Sequence, residues 1–246
     1  MHPLVTMRRM SPKRGGTGPH TPGAIWLRTR APGRNTGSEL SRERIADATV
    51  TVLDRDGMSG LSLRRLATTL NVHATTLYWH VATRDDLLDL ALDAVFGEVV
   101  LPETHAHDWT HDITGYMHGL RTALLQHPWS GALASSRPLL GPNALARAEF
   151  VHAALASAGF TELDLTAAAA AISNYVIGTV ATETSWQHVD ETPARQALNE
   201  HLHHHAALYP TLATQPPPID TTWEAHFTRG MTFLLAGLTA QLSRDQ

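Results

Sequence analysis

From Ser41 onward the apolar positions fall at helical spacing. Ile45, Ala48, Thr49, Val52 and Leu53 share one face, Ser41 is placed to cap its start, and Gly57 is placed to stop it. Ser62 is the cap of a second predicted helix over 63–70, and a third covers 74–80. Thr83, followed three residues later by Asp86, makes a capping-box-like start for a fourth, whose Leu87, Leu90, Ala91, Ala94 and Val95 form one apolar face. Beyond Pro102, helical character returns over 108–126, 143–158, 163–186 and 222–242. No segment holds the two-residue period of a strand, so the pattern predicts an all-α chain. The stretch 187–220 carries a His cluster, Pro210 and the run Pro216 to Pro218, and predicts a loop enclosing at most one short helix.

With 246 residues, 43% of them hydrophobic, there is room for a small unit and a larger core, which predicts two folded domains. No uninterrupted apolar run reaches the ~20 residues of a membrane span, and Met1 to Met10 lacks the apolar middle of a signal peptide. No membrane partner and a cytoplasmic location are expected. The chain has no cysteine, which excludes disulfides, thiolate nucleophiles and Cys-ligated zinc.

Charge changes the picture once it is divided along the chain. The formal net charge is −4, yet residues 1–38 hold Arg8, Arg9, Lys13, Arg14, Arg28, Arg30 and Arg34 and no acidic residue. Gly and Pro are interleaved with these cations, so 1–38 is expected to be a disordered basic arm. Three roles stay open for it: a solvated tail, a mis-assigned start, or a grip on phosphates or a minor groove.

The segment 63–81, LRRLATTLNVHATTLYWHV, meets the steric demands of a helix-turn-helix. Ala67 supplies the small residue where two helices cross closely. Four residues later Asn71 tolerates the left-handed turn conformation. Leu63, Leu66, Leu70, Val72 and Leu77 then face inward, leaving Thr75, Thr76, Tyr78, Trp79 and His80 outward. An outward aromatic cluster on the second helix suits DNA, where Thr contacts base edges or phosphates and aromatic tips donate to phosphate oxygens. The alternative is that Tyr78 and Trp79 pack against neighbouring helices.

At these residues, 40–97 resembles the N-terminal domain of TetR-family repressors, most specifically in Thr76-Leu77-Tyr78-Trp79-His80-Val81. The resemblance implies an all-helical homodimer, with a helix-turn-helix domain at 39–82, a regulatory and dimerisation domain at 83–246, and a ligand cavity beneath the heads. It implies operator contacts by Arg64, Thr76, Tyr78, Trp79, His80 and Arg84; Thr75 stands where relatives have proline, and His73 where they have an acidic residue. More weakly it extends through Trp109, residues 121–125, Arg137-Pro138 and Gly159-Phe160. A two-fold dimer would set two recognition helices about 34 Å apart on a palindromic operator.

Candidate ligand contacts are Tyr116, His118, Leu120, Arg137, Asn174 and Glu183. Family members that hold a drug as a magnesium chelate have a His where this chain has Leu133 and a Glu where it has Thr182. Their drug-contacting His and Asn align with Val100 and Tyr116. A magnesium-chelate effector is therefore not expected, and no cofactor or metal is. Five small side chains at 167–171, and the apolar row Phe227, Met231, Leu234, Leu235 and Leu238, offer surfaces for close helix packing.

Of the sixteen His residues, His201, His203, His204 and His205, and also His105, His107 and His111, invite a metal site. On a helix, however, adjacent His204 and His205 point apart, and only pairs such as His201 and His205 share a face. No GxSxG, HExxH or phosphate-cradling Gly loop is present, so no enzyme is expected. The expected function is a sequence-specific repressor released from its operator by a small-molecule effector. Two rivals are an architectural DNA binder without a ligand and a helical-bundle enzyme acting on the cavity ligand.

Overall fold

The computed structural model describes residues 22–28, 40–187, 191–214 and 222–243, and among these all regular structure is helical. The head consists of α2 (Arg42–Gly60), α3 (Leu63–Thr69) and α4 (Ala74–Tyr78), leaning on α5 (Arg84–Gly97). Its ends are fixed by side chains the sequence placed there. Ser41 accepts the Arg44 N–H, Ser62 accepts the Arg65 N–H, and Thr83 with Asp86 forms a complete capping box. Gly57, at φ 66° and ψ −175°, interrupts α2 where the stop was expected. Ile45, Val52, Leu53, Leu66 and Leu77 are essentially fully buried, and each such side chain contributes about 1.5–3 kcal/mol.

The body contains α6 (Trp109–Gln126), α7 (Ser130–Ala134), α8 (Pro142–Ala158), α9 (Glu162–Gln187) and α12 (Trp223–Leu242). Helix α9 packs on α6, α7, α8 and α12. By length and mean hydropathy (1.3) it could cross a membrane, although no uninterrupted apolar run was expected to be that long. Its apolar average comes from Ala, Ile and Val spread around Ser173, Asn174 and Thr residues, and in this fold it is the central body helix, one side of which stays uncovered. Helix α5 belongs to both halves, packing on α2 in the head and on α8, α6 and α7 in the body.

Two expectations are corrected. Residues 187–220, expected to be a loop with at most one short helix, contain α10 (Glu191–His204) and α11 (Pro210–Thr214). Helix-forming residues from Ala194 to Glu200 outweigh the His cluster, Pro193 sits in the first turn of α10, and Pro210 opens α11, where a missing N–H costs nothing. Arg195 lies over the Trp186 and Trp223 rings, at 5.3 and 5.2 Å, and so pins α10 to α9 and α12. The other correction concerns residues 22–28, expected to lie in a disordered arm. They are ordered, with α1 (Ala24–Leu27) seated on α5 and Ile25 buried. The remaining arm cations (Arg8, Arg9, Lys13, Arg14, Arg30, Arg34) and the run Pro216 to Pro218 lie outside the described residues.

Candidate nucleic-acid interface and effector cleft

The turn between α3 and α4 has the geometry its sequence requires. Asn71 adopts φ 55°, Ala67 is buried beneath it, and the Val72 N–H donates to the Ala67 carbonyl at 3.0 Å. Leu66, Leu70 and Leu77 point into the head core, while Leu63 and Val72 are half-buried at its edge. On the opposite side, Trp79 is 89% exposed, so its ring is not packed against the neighbouring helices, and more than half of Tyr78 (55%) faces solvent. Thr75 and Arg64 are exposed with them; Thr76 and His80 are half-buried. Leaving an indole this uncovered in water is unfavourable unless a partner covers it.

Arg84, expected among the operator contacts, is also engaged within the head. Its Nε donates to the Leu61 carbonyl at 3.2 Å, and one terminal nitrogen donates to the Met58 carbonyl. The guanidinium thereby ties the start of α5 to the last turn of α2 and its C-cap residue Leu61.

Head and body meet at His127. Its Nδ1 faces Asp54 of α2 at 2.9 Å, its Nε2 faces Glu98 at the end of α5 at 3.1 Å, and Trp129 Nε1 donates to the same Asp54 at 2.7 Å. Further along α5, Asp93 accepts the Ala144 N–H (2.9 Å) and the Asn143 N–H (3.3 Å), capping α8 from outside that helix. Burial pushes the Asp89 and Asp93 carboxyls above the usual carboxylate range, against the hydrogen bonds that pull them down.

In the body, a cleft of about 210 Å³ opens between α9 and α12. It is lined by Gly178, Thr179, Thr182, Glu183, Trp223, His226 and Phe227. Behind it, Arg121 of α6 donates to Glu183 at 2.7 Å and lies over the Phe227 ring at 5.1 Å. Tyr175 donates its hydroxyl to the Phe227 carbonyl at 2.8 Å, which holds α12 against α9. This approach needs Gly230: a Cβ there would sit 2.2 Å from the Tyr175 hydroxyl.

Of the six candidate ligand residues, the cleft takes in Glu183 alone. His118 stands beside it, edge-on to Phe227 at 5.6 Å and 3.7 Å from Glu224. The other four lie elsewhere. Tyr116 and Leu120 are core residues of α6, and burial pushes the Tyr116 phenol up, keeping it neutral. Arg137 is spent on Asp85 (2.5 Å) and Asp89 (3.0 Å), and Asn174 is exposed on α9. Sequence reasoning missed Thr179, Thr182, Trp223, His226 and Phe227. The signal was there in spacing: Thr179, Thr182 and Glu183, and likewise Trp223, His226 and Phe227, fall at i, i+3, i+4 on single helix faces. Among the described residues no group of three or more His, Asp or Glu side chains is placed to hold a metal.

Comparison with known proteins bears on the family and the fold. A family model described as tetracyclin repressor-like, C-terminal domain, matches residues 101–242. An HTH-type transcriptional regulator from Saccharopolyspora erythraea is 55% identical over 219 residues, spanning 89% of this chain and 92% of the relative. The tetracycline repressor protein class C from Escherichia coli is 29% identical over 211 residues, 82% of this chain and 91% of the relative. Among solved structures, ActR from Streptomyces coelicolor in complex with actinorhodin has a TM-score of 0.71 and 29% identity, covering 83% of this chain and 99% of ActR.

Proposed function

The chain belongs to the TetR family of transcriptional regulators, and we propose that it is a homodimeric repressor released from a palindromic operator by a planar aromatic effector. The observation that carries the DNA half is the solvent-facing Tyr78 and Trp79 on a second helix whose turn is locked by Asn71. Arg64, Thr75, Thr76, Tyr78, Trp79 and His80 are the operator contacts in this reading, with α4 in the major groove. Arg84 supports the start of α5 and reaches DNA only through its remaining N–H groups.

Dimerisation is supported by the uncovered sides of α9 and α12. Ala167 and Ala170 on α9, and Ala236, Gly237 and Ala240 on α12, are small exposed residues, and Phe233 of α12 is 64% exposed. A second copy packing there would form a four-helix interface and bury that ring.

The effector half rests on the cleft. Trp223, Phe227 and His226 offer ring faces, and Glu183 with Thr179 and Thr182 offers hydrogen-bonding groups. ActR has been solved in complex with actinorhodin, and the ring faces lining this cleft favour a planar aromatic ligand here. Drug-sized sites run from about 300 to 1,000 Å³, so such a ligand has to widen the 210 Å³ cleft by moving α9 against α12. That requirement gives the ligand different affinities for two conformations, and the operator is released by population shift.

The test is a footprint of the full chain on DNA flanking its own gene, repeated across a panel of planar aromatics. Protection of a palindrome that disappears with one or more of them supports the reading. A palindrome protected equally throughout would favour the ligand-independent DNA binder, and no sequence-selective protection would remove the proposal.

A further inference from the structure

Residues 22–28 lie outside both the DNA-reading head and the cleft, yet they are bonded to the helix those two share. The Gly23 N–H donates to Asp89 Oδ2 at 2.7 Å in a buried position, and Arg28 pairs with Asp86 at 2.5 Å. Between them Ile25 is 1% exposed, and Trp26 lies along a groove formed by Leu92 and Phe96 of α5 and by residues 138–141. The seat is close: a Cβ on Gly23 would meet Leu140 Cδ1 at 3.0 Å.

The two carboxylates the segment uses also do other work. Asp86 accepts the Ala82 and Thr83 N–H groups at 2.7 and 3.2 Å, fixing the start of α5 immediately after α4. Asp89 also accepts from Arg137, which comes from the same body loop that Gly23 touches. One short segment thus fastens the first two turns of α5 to the body, at the point from which the head projects.

We propose that residues 22–28 are a latch on α5, holding head and body in the operator-binding arrangement, so that releasing the latch weakens operator binding. The operator part rests on the repressor reading above; the mechanical part does not. Because the segment is bonded to α5 through Gly23–Asp89 and Arg28–Asp86 and packs on residues 138–141 of the body, α5 cannot shift against that loop without losing one set of contacts or the other. An unlatched α5 samples more tilts, and fewer of them match operator spacing.

The test compares Ile25→Glu with Leu27→Glu in the full chain. Both add one negative charge to α1, but Leu27 is 75% exposed and Ile25 is buried. Hydrogen exchange followed by mass spectrometry is expected to show Ile25→Glu speeding exchange of α5 amides about tenfold or more, with α8 and α9 unchanged and Leu27→Glu like wild type. Arg28→Ala, a milder break, should give a smaller effect in the same amides. Operator affinity should fall by about tenfold for Ile25→Glu and stay put for Leu27→Glu, a difference that measures the latch rather than the added charge. Equal α5 exchange in Ile25→Glu, Arg28→Ala and wild type would overturn the latch. Faster α5 exchange with unchanged operator affinity would overturn its regulatory role. A wild-type chain that binds no operator would defeat the repressor reading and, with it, the operator part of the proposal.

Discussion

The Arg121–Glu183 pair behind the cleft is the place where a single substitution should cost most and a double substitution least. The side chains are 9% and 10% exposed and bonded at 2.7 Å. Unit charges about 4 Å apart attract by about 4 kcal/mol at an effective dielectric of about 20. Against this stands a desolvation cost of several kcal/mol for each ion, so the pair as a whole contributes roughly nothing net. Two details lower its worth further. Among the described residues the buried Arg121 Nε–H finds no acceptor, and the second partner, Glu224 at 3.4 Å, is 57% exposed and largely screened. Removing one partner is different, because the other charge stays buried. Arg121→Met is expected to cost about 3 kcal/mol, and Glu183→Gln about 2, since an amide oxygen still accepts from the guanidinium. Arg121→Met combined with Glu183→Leu should lie within about 1 kcal/mol of wild type, a coupling of at least about 2 kcal/mol. Urea unfolding followed by circular dichroism, at one fixed protein concentration because a dimer's stability depends on it, measures all four species. Additive losses, with the double variant the least stable, would refute the reasoning.

Other consequences follow from single residues. Asn71→Gly should be neutral or stabilising and Asn71→Val should cost about 1–2 kcal/mol in thermal unfolding, because the side chain is exposed and the left-handed backbone alone decides. Asp93→Ala should lose about 2–3 kcal/mol by stranding the N–H groups at the start of α8. The raised carboxyls of Asp89 and Asp93 bind protons in the folded state before the unfolded one does. Their contribution to stability therefore grows as pH falls from neutral through the raised folded values, until the unfolded carboxyls also protonate. Wild type should accordingly gain on Asp93→Asn over that window in urea midpoints; the opposite trend would reverse the sign. His127→Ala should cost about 1–2 kcal/mol, a modest value because Asp54 and Glu98 are 35% and 40% exposed and keep water when the ring is gone.

Where local chemistry decides, the fold was legible in the sequence. Ser41, Ser62, Thr83 and Asp86 cap what they were placed to cap, Gly57 breaks α2, and Asn71 turns left-handed, because each effect spans at most four residues. The α10 and α11 helices were obscured by prolines and histidines that read as loop formers, and these act weakly against a run of good helix residues. The order in 22–28 could not be read locally: Asp86, Asp89 and Leu140, which hold it, lie far along the chain. The head's outward residues followed from helical periodicity. The cleft did not, because it forms where α9 and α12 lie together, far apart in the chain, while Tyr116 and Leu120 are buried in α6 and Arg137 is paired with Asp85 and Asp89.

In the proposed repressor, α4 reads DNA sequence through its exposed aromatic tip. The most direct test is the ratio of affinities for the footprinted palindrome and a scrambled duplex, measured by fluorescence anisotropy at fixed salt for wild type and Trp79→Ala. Trp79 is 89% exposed, so the variant should unfold at the wild-type midpoint. The expected wild-type ratio is about 10³ or more, falling at least about tenfold in the variant. An unchanged ratio, with the fold intact, would contradict it.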